Sequence, residues 1–489
     1  MRCALIMPSW QSNDCYPEKL AQSMELYWQP IGILSIAAVL QKAGHEVHFI
    51  DGSFITHREV IARVKALQPG FIGIHANTPL WPKAVNTVED CRKAAPDAHI
   101  GVGGPMPMVW EEKCFDDSKS LDTVFLGEGE VAVVKVCEIV EKVGRVADFS
   151  DVRGLIFRHP ADGELRKTGE AQLIQDLDAI PYPAYDLLDD FKKYKAIPGT
   201  YKQKPVGCMF TSRGCDFRCI YCFQYGPQKV RMRSFENIMG EIEWLVRDFG
   251  VKEIRFLDDN FTEDRERAFK LCGEIKRNFP KISWYVSARA DDVDQELLNE
   301  MYRCGCWAML FGVESGVDKT LRTMRKGEDS ATIRRAVWMA KRAKLKVYAP
   351  FIFGSPGETY EDGLKTIEFA LEIDPYYVNF HLITPYPGTQ LYDMANDCGT
   401  MEVDWNNFTF EHAAFVPHTM TREQLIELRT LAFKKFYSRP KFIARRLWNA
   451  RSVDDWKALL HGARGLFHLF ADKNVLDPST FKSALQDNP

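Results

Sequence analysis

The chain has 489 residues, of which 46% are apolar and 27% charged, and its formal net charge is −4. This length predicts roughly two to four domains, and the small net charge gives no overall attraction to nucleic acid or to an anionic membrane. The first residues lack the basic-then-apolar profile of a signal peptide. We therefore expect a cytoplasmic protein whose thirteen cysteines are reduced thiols rather than a disulfide framework.

Residues 1–145 alternate short apolar runs with segments of helical periodicity. The runs, each bounded by turn residues, are CALIM, HEVHFID, FIGIHA, HIGVGG and DTVFLG. Such alternation predicts a parallel sheet with helices on both faces, which is a doubly wound, Rossmann-like domain of the α/β class. Residues 146–205 break the rhythm with proline, aspartate and a predicted hairpin. We interpret them as a connector between two domains.

The alternation returns at residue 206 and continues to about residue 395. Six apolar runs, each followed by a helical pattern, are GCMFTS, EIRFLD, SWYVSA, WAMLFGV, KVYAPFIFG and YVNFHLIT. Six strand–helix units predict an incomplete (β/α) barrel of the TIM type, whose site lies at the carboxyl ends of its strands. Residues 396–489 have a mostly helical pattern with loops and end in a polar tail.

Three cysteines lie in one short loop after the first barrel strand: Cys215, Cys219 and Cys222, within TSRGCDFRCIYCFQYG. Structural zinc usually takes four protein ligands, whereas thiolates are the usual ligands of iron–sulfur clusters, one for each iron of a four-iron cluster. Three thiolates would leave one iron of such a cluster open to another ligand. The alternative is a set of buried core cysteines, and the position of the loop in a barrel disfavours it.

The spacing C-x3-C-x2-C, with Tyr221 before the last cysteine, resembles the signature of the radical SAM superfamily. This resemblance implies that the three cysteines hold a [4Fe-4S] cluster whose open iron is chelated by S-adenosylmethionine (SAM). It also implies reductive cleavage of SAM to a 5′-deoxyadenosyl radical. By position along the barrel, the SAM contacts implied by the family fall on Tyr221, Asp258, Asp259, Ser287, Arg289, Glu314 and Phe353.

One of these assignments departs from the family pattern. Asp258, Asp259 and Asn260 stand where the family commonly has Gly-Gly-Glu. A guanidinium fork fits a carboxylate, which favours contact of Arg289 with the carboxylate of SAM. For Asp258, Arg289 and Glu314, membership of an internal salt-bridge network is the alternative role.

The N-terminal domain resembles the cobalamin-binding domain that precedes the barrel in one group of radical SAM enzymes. The segment YWQPIGILSIAAVLQKAGHEVHFIDG has the layout of the corrinoid-binding loop, helix and second strand, and FLGEGE is typical of the same group. The resemblance extends from the first strand to about residue 395. The cobalamin contacts that it implies are Gln29, Pro30, Gly32, His75, Asn77, Thr78, Gly103, Gly104, Pro105, Gly127 and Glu128.

Gln29 stands where methionine-synthase-like proteins have the histidine that binds cobalt. A neutral amide is a poor cobalt ligand, so we expect no histidine from this loop at the lower face of the corrin ring. His75 lies near that face and could ligate or shield the metal, but a satisfied histidine at a strand end is the favoured interpretation. A degenerate domain that serves only as a scaffold is the alternative to cobalamin binding.

Two further features concern the substrate. His381 and Tyr386, at the end of the sixth barrel strand, are candidate catalytic residues that face it. The C-terminal run KKFYSRPKFIARRLWNAR interleaves aromatic residues with Lys434, Lys435, Arg439, Lys441, Arg445, Arg446 and Arg451. A solvated face is the favoured interpretation of this run; peripheral contact with an anionic membrane or an acidic substrate is the alternative. No RNA-binding module is visible.

The combined resemblance implies a cobalamin-dependent radical SAM methyltransferase that methylates an unactivated carbon by way of methylcobalamin. A low-potential electron donor such as flavodoxin or ferredoxin would reduce the enzyme. No nucleic acid is expected as a partner. Radical cyclisation or ring rearrangement without methyl transfer, as in the anaerobic cyclase of chlorophyll synthesis, is the alternative. A tRNA methylthiotransferase and a cobalamin sensor are disfavoured, and lipid, tetrapyrrole and natural-product precursors remain open as substrates.

Overall fold

The first unit of the structure is a sheet of seven strands. The structure is a computed structural model that describes residues 1–11, 27–196, 199–223, 229–405, 408–409, 412–450, 456 and 459–460. The strands are β1 (Arg2–Met7), β2 (Glu46–Asp51), β3 (Phe71–His75), β4 (His99–Gly103), β5 (Thr123–Phe125), β6 (Leu155–Arg158) and β7 (Leu165–Lys167). Their order is β2-β1-β3-β4-β5-β6-β7, with β1 to β5 parallel and the β6–β7 hairpin antiparallel. The five predicted parallel strands are confirmed, and the hairpin predicted in the connector extends this sheet.

Helices cover both faces of the first sheet. They are α1 (Ile31–Lys42), α2 (His57–Leu67), α3 (Trp81–Ala94), α4 (Pro105–Trp110), α5 (Cys114–Asp117) and α6 (Glu130–Val143). Leu34 of α1 and Val136 of α6 belong to one buried layer, and Val60 of α2 and Val88 of α3 belong to the other. Because successive residues of a strand point to opposite faces, each central strand supplies both layers. The doubly wound domain is thus confirmed.

The second unit contains six parallel strands. Its strands and helices are β8 (Val206–Met209), β9 (Ser212–Arg213), β10 (Arg231–Met232), α7 (Phe235–Phe249), β11 (Glu253–Phe256), α8 (Arg265–Asn278), β12 (Ser283–Ala288), α9 (Gln295–Arg303), β13 (Cys306–Phe311), α10 (Asp318–Thr323), α11 (Ser330–Arg342), β14 (Lys346–Phe353), α12 (Tyr360–Ile373) and β15 (Tyr377–Leu382). The sheet runs β15-β14-β13-β12-β11-β8, every neighbouring pair being parallel. The predicted six-stranded partial barrel is confirmed. Outside it, β9 and β10 form an antiparallel ribbon.

The described part of the C-terminal region packs against the last barrel strand. It comprises α13 (Gln390–Cys398), β16 (Gly399–Met401), β17 (Phe415–Pro417), α14 (Arg422–Tyr437) and α15 (Pro440–Asn449). Arg429 of α14 donates a hydrogen bond from Nε to the carbonyl of Phe380 in β15 (3.0 Å). The antiparallel β16–β17 ribbon was not expected, because strands of three residues are too short for periodicity to identify. Within the described ranges, no helix has the length and apolar character needed to cross a bilayer.

Candidate functional site

A cavity of about 430 Å³ opens at the carboxyl ends of β3 and β4. Leu5, Phe71 and Gly101 also line it, so it extends from the strand ends into the middle of the sheet. Ligands of doubly wound domains bind at this edge of the sheet. Seven of the eleven predicted cobalamin contacts belong to its lining, namely Gly32, His75, Gly103, Gly104, Pro105, Gly127 and Glu128.

Glycine shapes the wall of this cavity. A Cβ atom on Gly32 would meet no other atom within 4 Å, so this glycine leaves open space where a side chain would stand. Gly104 has a φ of +109°, and a Cβ there would lie 2.6 Å from the carbonyl oxygen of Ala76 and 3.0 Å from the His75 ring. At these glycines backbone forms the wall, which allows a large rigid group to approach closely. The residues present fit cobalamin.

His75 contributes an uncharged ring to the same wall. Burial lowers the pKa of His75 to about 4, so the imidazole is neutral at neutral pH. A neutral imidazole retains a lone pair that can accept a hydrogen bond or ligate a metal.

The remaining predicted cobalamin contacts, Gln29, Pro30, Asn77 and Thr78, lie outside the lining of the cavity. Gln29 donates a hydrogen bond from Nε2 to the carbonyl of Val206 (2.9 Å), which ties the loop before α1 to the first barrel strand. The Asn77 Oδ1 atom accepts from the backbone N–H of Leu80 (3.1 Å), just before α3. These two side chains thus hold the loops around the cavity, and their contact with cobalamin stays a prediction.

The cysteine loop, residues 214–230, is closed by the β9–β10 ribbon. Residues 224–228 of this loop lie outside the described ranges. Gly214 opens the loop with a φ of +101°, and a Cβ there would lie 2.8 Å from the carbonyl oxygen of Lys229. The two sides of the loop are therefore in close contact at its base.

The three predicted cluster ligands are close enough in this loop to affect one another's pKa values. Cys215 and Cys219 are half-buried, and Cys222 is exposed. Burial raises the pKa of the Cys215 thiol, and the nearby Cys219 raises it further, so binding of iron must displace protons. Among the described residues, no three His, Cys, Asp or Glu side chains are grouped as ligands of a single metal ion. A four-iron cluster takes one thiolate for each iron, so this donor set fits a [4Fe-4S] cluster with one iron left open.

The barrel holds the cysteine loop through its backbone and one ring. The backbone N–H of Ile220 donates to the carbonyl of Met324 (3.1 Å), and the carbonyl of Ile220 accepts from the N–H of Leu391 (2.9 Å). The ring of Phe217 lies 3.4 Å from the guanidinium carbon of Arg289. The loop is thus fixed against the carboxyl ends of the barrel strands, where a (β/α) barrel carries its site.

Two of the predicted SAM contacts belong to a network of buried charges. Arg289 contacts Asp291 at 2.8 Å and Glu328 at 3.6 Å. Lys326 lies 3.6 Å from Glu328 and 3.9 Å from Glu314. The alternative role anticipated for Arg289 and Glu314 is therefore present in this structure. A SAM molecule would have to share or replace these ion-pair partners.

Tyr221 links this charge network to the cysteine loop. Burial raises the pKa of Tyr221 well above its usual value, and the Glu314 carboxylate adds to the effect. The tyrosine remains a neutral hydrogen-bond donor, and it is hydrogen-bonded to Glu314. This hydrogen bond attaches the cysteine loop to the end of the fourth barrel strand.

The two neighbouring aspartates at the end of β11 differ in their environment. Asp258 is buried and accepts hydrogen bonds from the Thr211 N–H (3.0 Å), the Thr211 hydroxyl (2.7 Å) and the Ser212 hydroxyl (2.5 Å). It supports the strand that leads into the cysteine loop. Asp259 is exposed and close enough to Cys215 to raise the pKa of that thiol.

The other two predicted SAM contacts lie on opposite sides of the barrel wall. Ser287 is half-buried between two buried residues of β12. Phe353 is fully buried, and its ring stacks on that of Phe380 at 5.8 Å, so only its backbone is available to a ligand. The pleat of a strand explains this, because Ile352 points to the side opposite Phe353.

The two candidate substrate residues have different surroundings. Burial lowers the pKa of His381 to about 4, so its ring is neutral. Tyr386 begins a row of aromatic rings that continues through Phe408 (5.8 Å) and Trp405 (5.3 Å) to Trp110 of the N-terminal unit (5.1 Å). The structure thus places Tyr386 where the barrel meets the first domain.

The two units also approach each other closely at Gly388. Gly388, in the turn after β15, approaches the N-terminal unit and the cysteine loop together. A Cβ on Gly388 would lie 2.3 Å from Cγ1 of Val109 in α4 and 2.9 Å from the ring of Phe223. Helix α4 starts at Pro105, which lines the cavity. The mouth of the cavity and the last cluster cysteine are therefore near neighbours.

The described basic side chains of the C-terminal run mostly form contacts with the rest of the protein. Arg439, Lys441 and Arg445 surround Asp374 at 2.9, 3.4 and 3.2 Å. Arg446 donates to the hydroxyl of Tyr376 (2.9 Å). Predicted Arg451 lies outside the described residues. These contacts favour the interpretation of this run as a solvated face that packs on the barrel.

Sequence reasoning missed Arg213 and Arg231, which stand at the base of the cysteine loop. Arg213 also lines the cavity of the first domain. Both arginines contact Glu128, which is 85 and 103 residues away along the chain. No local pattern indicates pairs so far apart.

Comparison with known proteins agrees with this geometry. Residues 209–370 match the family described as the Radical SAM superfamily, and residues 18–136 match the B12 binding domain. The chain is 32% identical to an uncharacterized methyltransferase of Pyrococcus horikoshii, over 90% of this chain and 94% of the relative. It is 27% identical to the anaerobic magnesium-protoporphyrin IX monomethyl ester cyclase of Cereibacter sphaeroides, over 89% of this chain and 70% of the cyclase.

A solved structure shares the whole fold. The cobalamin-dependent S-adenosylmethionine radical enzyme OxsB, with aqua-cobalamin and S-adenosylmethionine bound, covers 99% of this chain with a TM-score of 0.74 at 17% identity. The match includes 75% of the OxsB chain. The chain described here belongs to the cobalamin-binding radical SAM proteins. It is an enzyme of this type, and its cofactors are a [4Fe-4S] cluster, SAM and cobalamin.

Proposed function

We propose that this enzyme transfers a methyl group to an unactivated carbon of a small molecule bound between its two cofactor sites. The observation that carries the proposal is the contact at Gly388, where Val109 of the cobalamin domain meets Phe223 beside the last cysteine. A methyl donor and a hydrogen-abstracting radical must both reach one carbon atom. Adjacent cofactor sites supply the proximity that this reaction needs.

The chain provides binding, orientation and exclusion of water, while the bound cofactors supply the methyl group and the 5′-deoxyadenosyl radical. The glycine wall leaves room for the corrin ring, and the three thiolates hold the cluster. The aromatic row from Tyr386 to Trp110 closes one side of the junction, which keeps water from a reactive radical. The neutral ring of His381 and the hydroxyl of Tyr386 are the groups that we expect to contact the substrate.

Radical cyclisation without methyl transfer is the second candidate. It is favoured by the 27% identity to the anaerobic cyclase of Cereibacter sphaeroides, which extends over 89% of this chain. The same two cofactor sites would serve that reaction. The two candidates differ in whether the product gains the mass of a methyl group.

Two partners follow from the proposal. Reductive cleavage of SAM requires a low-potential one-electron donor, such as flavodoxin or ferredoxin, that reaches the exposed side of the cysteine loop near Cys222. The substrate is a small molecule such as a lipid, tetrapyrrole or natural-product precursor. For a lipid substrate, the exposed side chains of Ile443, Leu447 and Trp448 on α15 would give peripheral membrane contact.

Product analysis tests the proposed function. The protein is purified without oxygen, loaded with iron, sulfide and hydroxocobalamin, and incubated with SAM and a strong reductant. Bound corrinoid together with 5′-deoxyadenosine and S-adenosylhomocysteine supports the methyltransferase, and substrates are then screened for a mass gain of one methyl group. Bound corrinoid with deoxyadenosine alone favours cyclisation. Neither product, from protein with a complete cluster, contradicts both candidates.

A further inference from the structure

We propose that Glu128 is a positioning residue that holds the cysteine loop against the cobalamin cavity and so sets the distance between the two cofactors. The proposal deepens the proposed function, because this distance matters when both cofactors act on one substrate. Glu128 lies in the segment FLGEGE, at the rim of the cavity. Its carboxylate, however, is directed to the base of the cysteine loop.

Both oxygen atoms of Glu128 are occupied by donors from other parts of the chain. Oε1 accepts from Nη2 of Arg231 (2.8 Å) and Nη1 of Arg213 (3.2 Å). Oε2 accepts from Nη1 of Arg231 (2.8 Å) and from the backbone N–H of Ile174 (2.8 Å). The Glu128 side chain is only 11% exposed. Burial opposes ionisation, but the bonds from Arg231 and Ile174 outweigh it and hold the pKa of Glu128 below its usual value.

The two arginines are the residues that define the base of the loop. Arg213 of β9 and Arg231 of β10 are directly paired in the antiparallel ribbon, and the cysteine loop lies between them. Arg213 also donates to Glu130 (2.7 Å) in the first turn of α6. Arg213, Glu128 and Glu130 all line the cavity. The same group of charges therefore forms part of the cobalamin site and clamps both strands of the cluster site.

Loss of the Glu128 charge would act on the ribbon directly. The buried Arg231 would lose the carboxylate that neutralises it, whereas the half-buried Arg213 would keep Glu130 as a partner. Removing one partner of a buried ion pair is strongly unfavourable. The barrel side of the ribbon keeps its own support, because Asp258 still holds Thr211 and Ser212. We therefore expect the loop to stay attached to the barrel and to lose its fixed position relative to the cavity.

The test uses Glu128→Gln with Asp122→Asn as a matched control. Asp122, which lies outside the cavity lining, likewise accepts from two arginines and one backbone N–H: Arg92 (2.5 Å), Arg145 (3.1 Å) and Ile100 (2.8 Å). Its side chain is 13% exposed, almost the same as that of Glu128. Both substitutions remove one buried carboxylate charge from the same domain, but only one of them touches the cysteine loop.

Hydrogen–deuterium exchange of the cofactor-free full chain provides a readout that does not depend on activity. In Glu128→Gln, amide exchange at residues 229–233 should rise at least about tenfold, the factor expected for loss of charge-assisted bonds worth about 1.4 kcal/mol or more. In Asp122→Asn these peptides should exchange as in the wild type. Glu128→Asp keeps the charge but shortens the reach, so it should give an intermediate rate and serves if the glutamine variant fails to fold.

The loaded enzyme gives the functional consequence. After normalisation to the iron and cobalamin that each protein binds, Glu128→Gln should form more 5′-deoxyadenosine for each S-adenosylhomocysteine than the wild type, since the two half-reactions are no longer aligned. Unchanged exchange at residues 229–233 in both Glu128 variants, or an equal rise in Asp122→Asn, would overturn the proposal that Glu128 holds the cysteine loop in position. Exchange is measured without cofactors. A wild-type enzyme that fails to make either product therefore counts against the proposed function and leaves the exchange test of Glu128 valid.

Discussion

The two candidate cofactor sites of this molecule are lined by different kinds of group. In the N-terminal domain, the cavity wall combines glycine backbone, as at Gly32 and Gly104, with apolar side chains such as Phe71, and the cavity is open in the folded chain. In the barrel, the charged groups predicted to contact SAM are already paired, as Arg289 is with Asp291 and Glu328. A cavity lined by glycine backbone and apolar side chains is formed by the fold itself. A site lined by paired charges becomes available only as the ligand takes over some of those interactions.

The largest effect is expected from removal of a cluster thiolate. Cys215→Ala should lose most of the iron bound after reconstitution and should form no 5′-deoxyadenosine, because a cluster held by two thiolates is not retained. Cobalamin binding should be unchanged, since the cavity lies in the other domain. Iron analysis and chromatography of the products measure both.

Cys398→Ala is the control for that variant. Cys398 is also half-buried, but its thiol is hydrogen-bonded to the carbonyl of Met394 in its own helix (3.1 Å). Iron content and product formation should match the wild type. Equal iron in Cys215→Ala and in the wild type would contradict the assignment of the cluster.

The next largest effect should come from filling the cavity of the N-terminal domain with a side chain. Gly32→Leu places a side chain in the open space of the cavity and should weaken hydroxocobalamin binding by about a hundredfold or more, because a steric clash of this kind costs several kcal/mol. The helix itself should become slightly more stable, since leucine is a better helix former than glycine by about 1 kcal/mol. Absorbance of bound corrinoid after gel filtration measures the loss.

Gly273→Leu provides the matched substitution. Gly273 lies in α8, and a Cβ there would also meet no atom within 4 Å. Gly273 is not part of the cavity lining, so cobalamin binding should not change. Normal corrinoid binding by Gly32→Leu would show that the cavity is not the cobalamin site.

A smaller effect is expected at the paired charges of the barrel. Arg289→Lys removes the planar fork and should weaken SAM binding to the cluster-loaded enzyme by about tenfold. Arg265→Lys, at an exposed pair with Asp294 and Glu296, should change it by less than about twofold. Equilibrium binding of SAM distinguishes the two. A fall in melting temperature of Arg289→Lys without any change in SAM affinity would mean that the network is purely structural.

The smallest effect concerns the neutral histidine of the cavity wall. The native pKa of His75 is about 4, whereas an unfolded histidine has a pKa of about 6.5. Below pH 6.5 the unfolded chain therefore binds a proton that the native chain does not, and stability falls as the pH falls towards 4. Between pH 6.5 and pH 5, His75→Asn should lose about 1.5 kcal/mol less stability than the wild type. Urea unfolding of the cofactor-free chain measures this, and identical pH profiles would contradict it.

The order of strands and helices was predictable because each element carries its own periodicity. Strands such as β3 and β14 are apolar runs bounded by turn residues, and alternation alone implies parallel sheets. The three-residue strands β16 and β17 carry no such signal. The sequence also does not indicate which face of β14 Phe353 occupies, since shifting an assignment by one residue reverses the face of a strand.

The candidate sites were predictable to different degrees for the same reason. Gly32, Gly103 and Gly104 lie in short motifs, and their role depends on local backbone geometry. The partners of Arg289 and Glu128 come from distant segments, so only the folded structure reveals that these charges are already engaged. Sequence motifs therefore predicted which cofactors bind, and the structure showed the contacts that join the two candidate sites.

The most direct test of this account is whether the two cofactors share one chamber. Electron paramagnetic resonance of protein that holds both the reduced cluster and cobalt(II) cobalamin would be compared with the sum of spectra from protein loaded with one cofactor at a time. Adjacent sites predict magnetic coupling that broadens both signals in the doubly loaded protein. A spectrum equal to the simple sum would mean that the two sites are far apart, and it would contradict the proposed transfer between them.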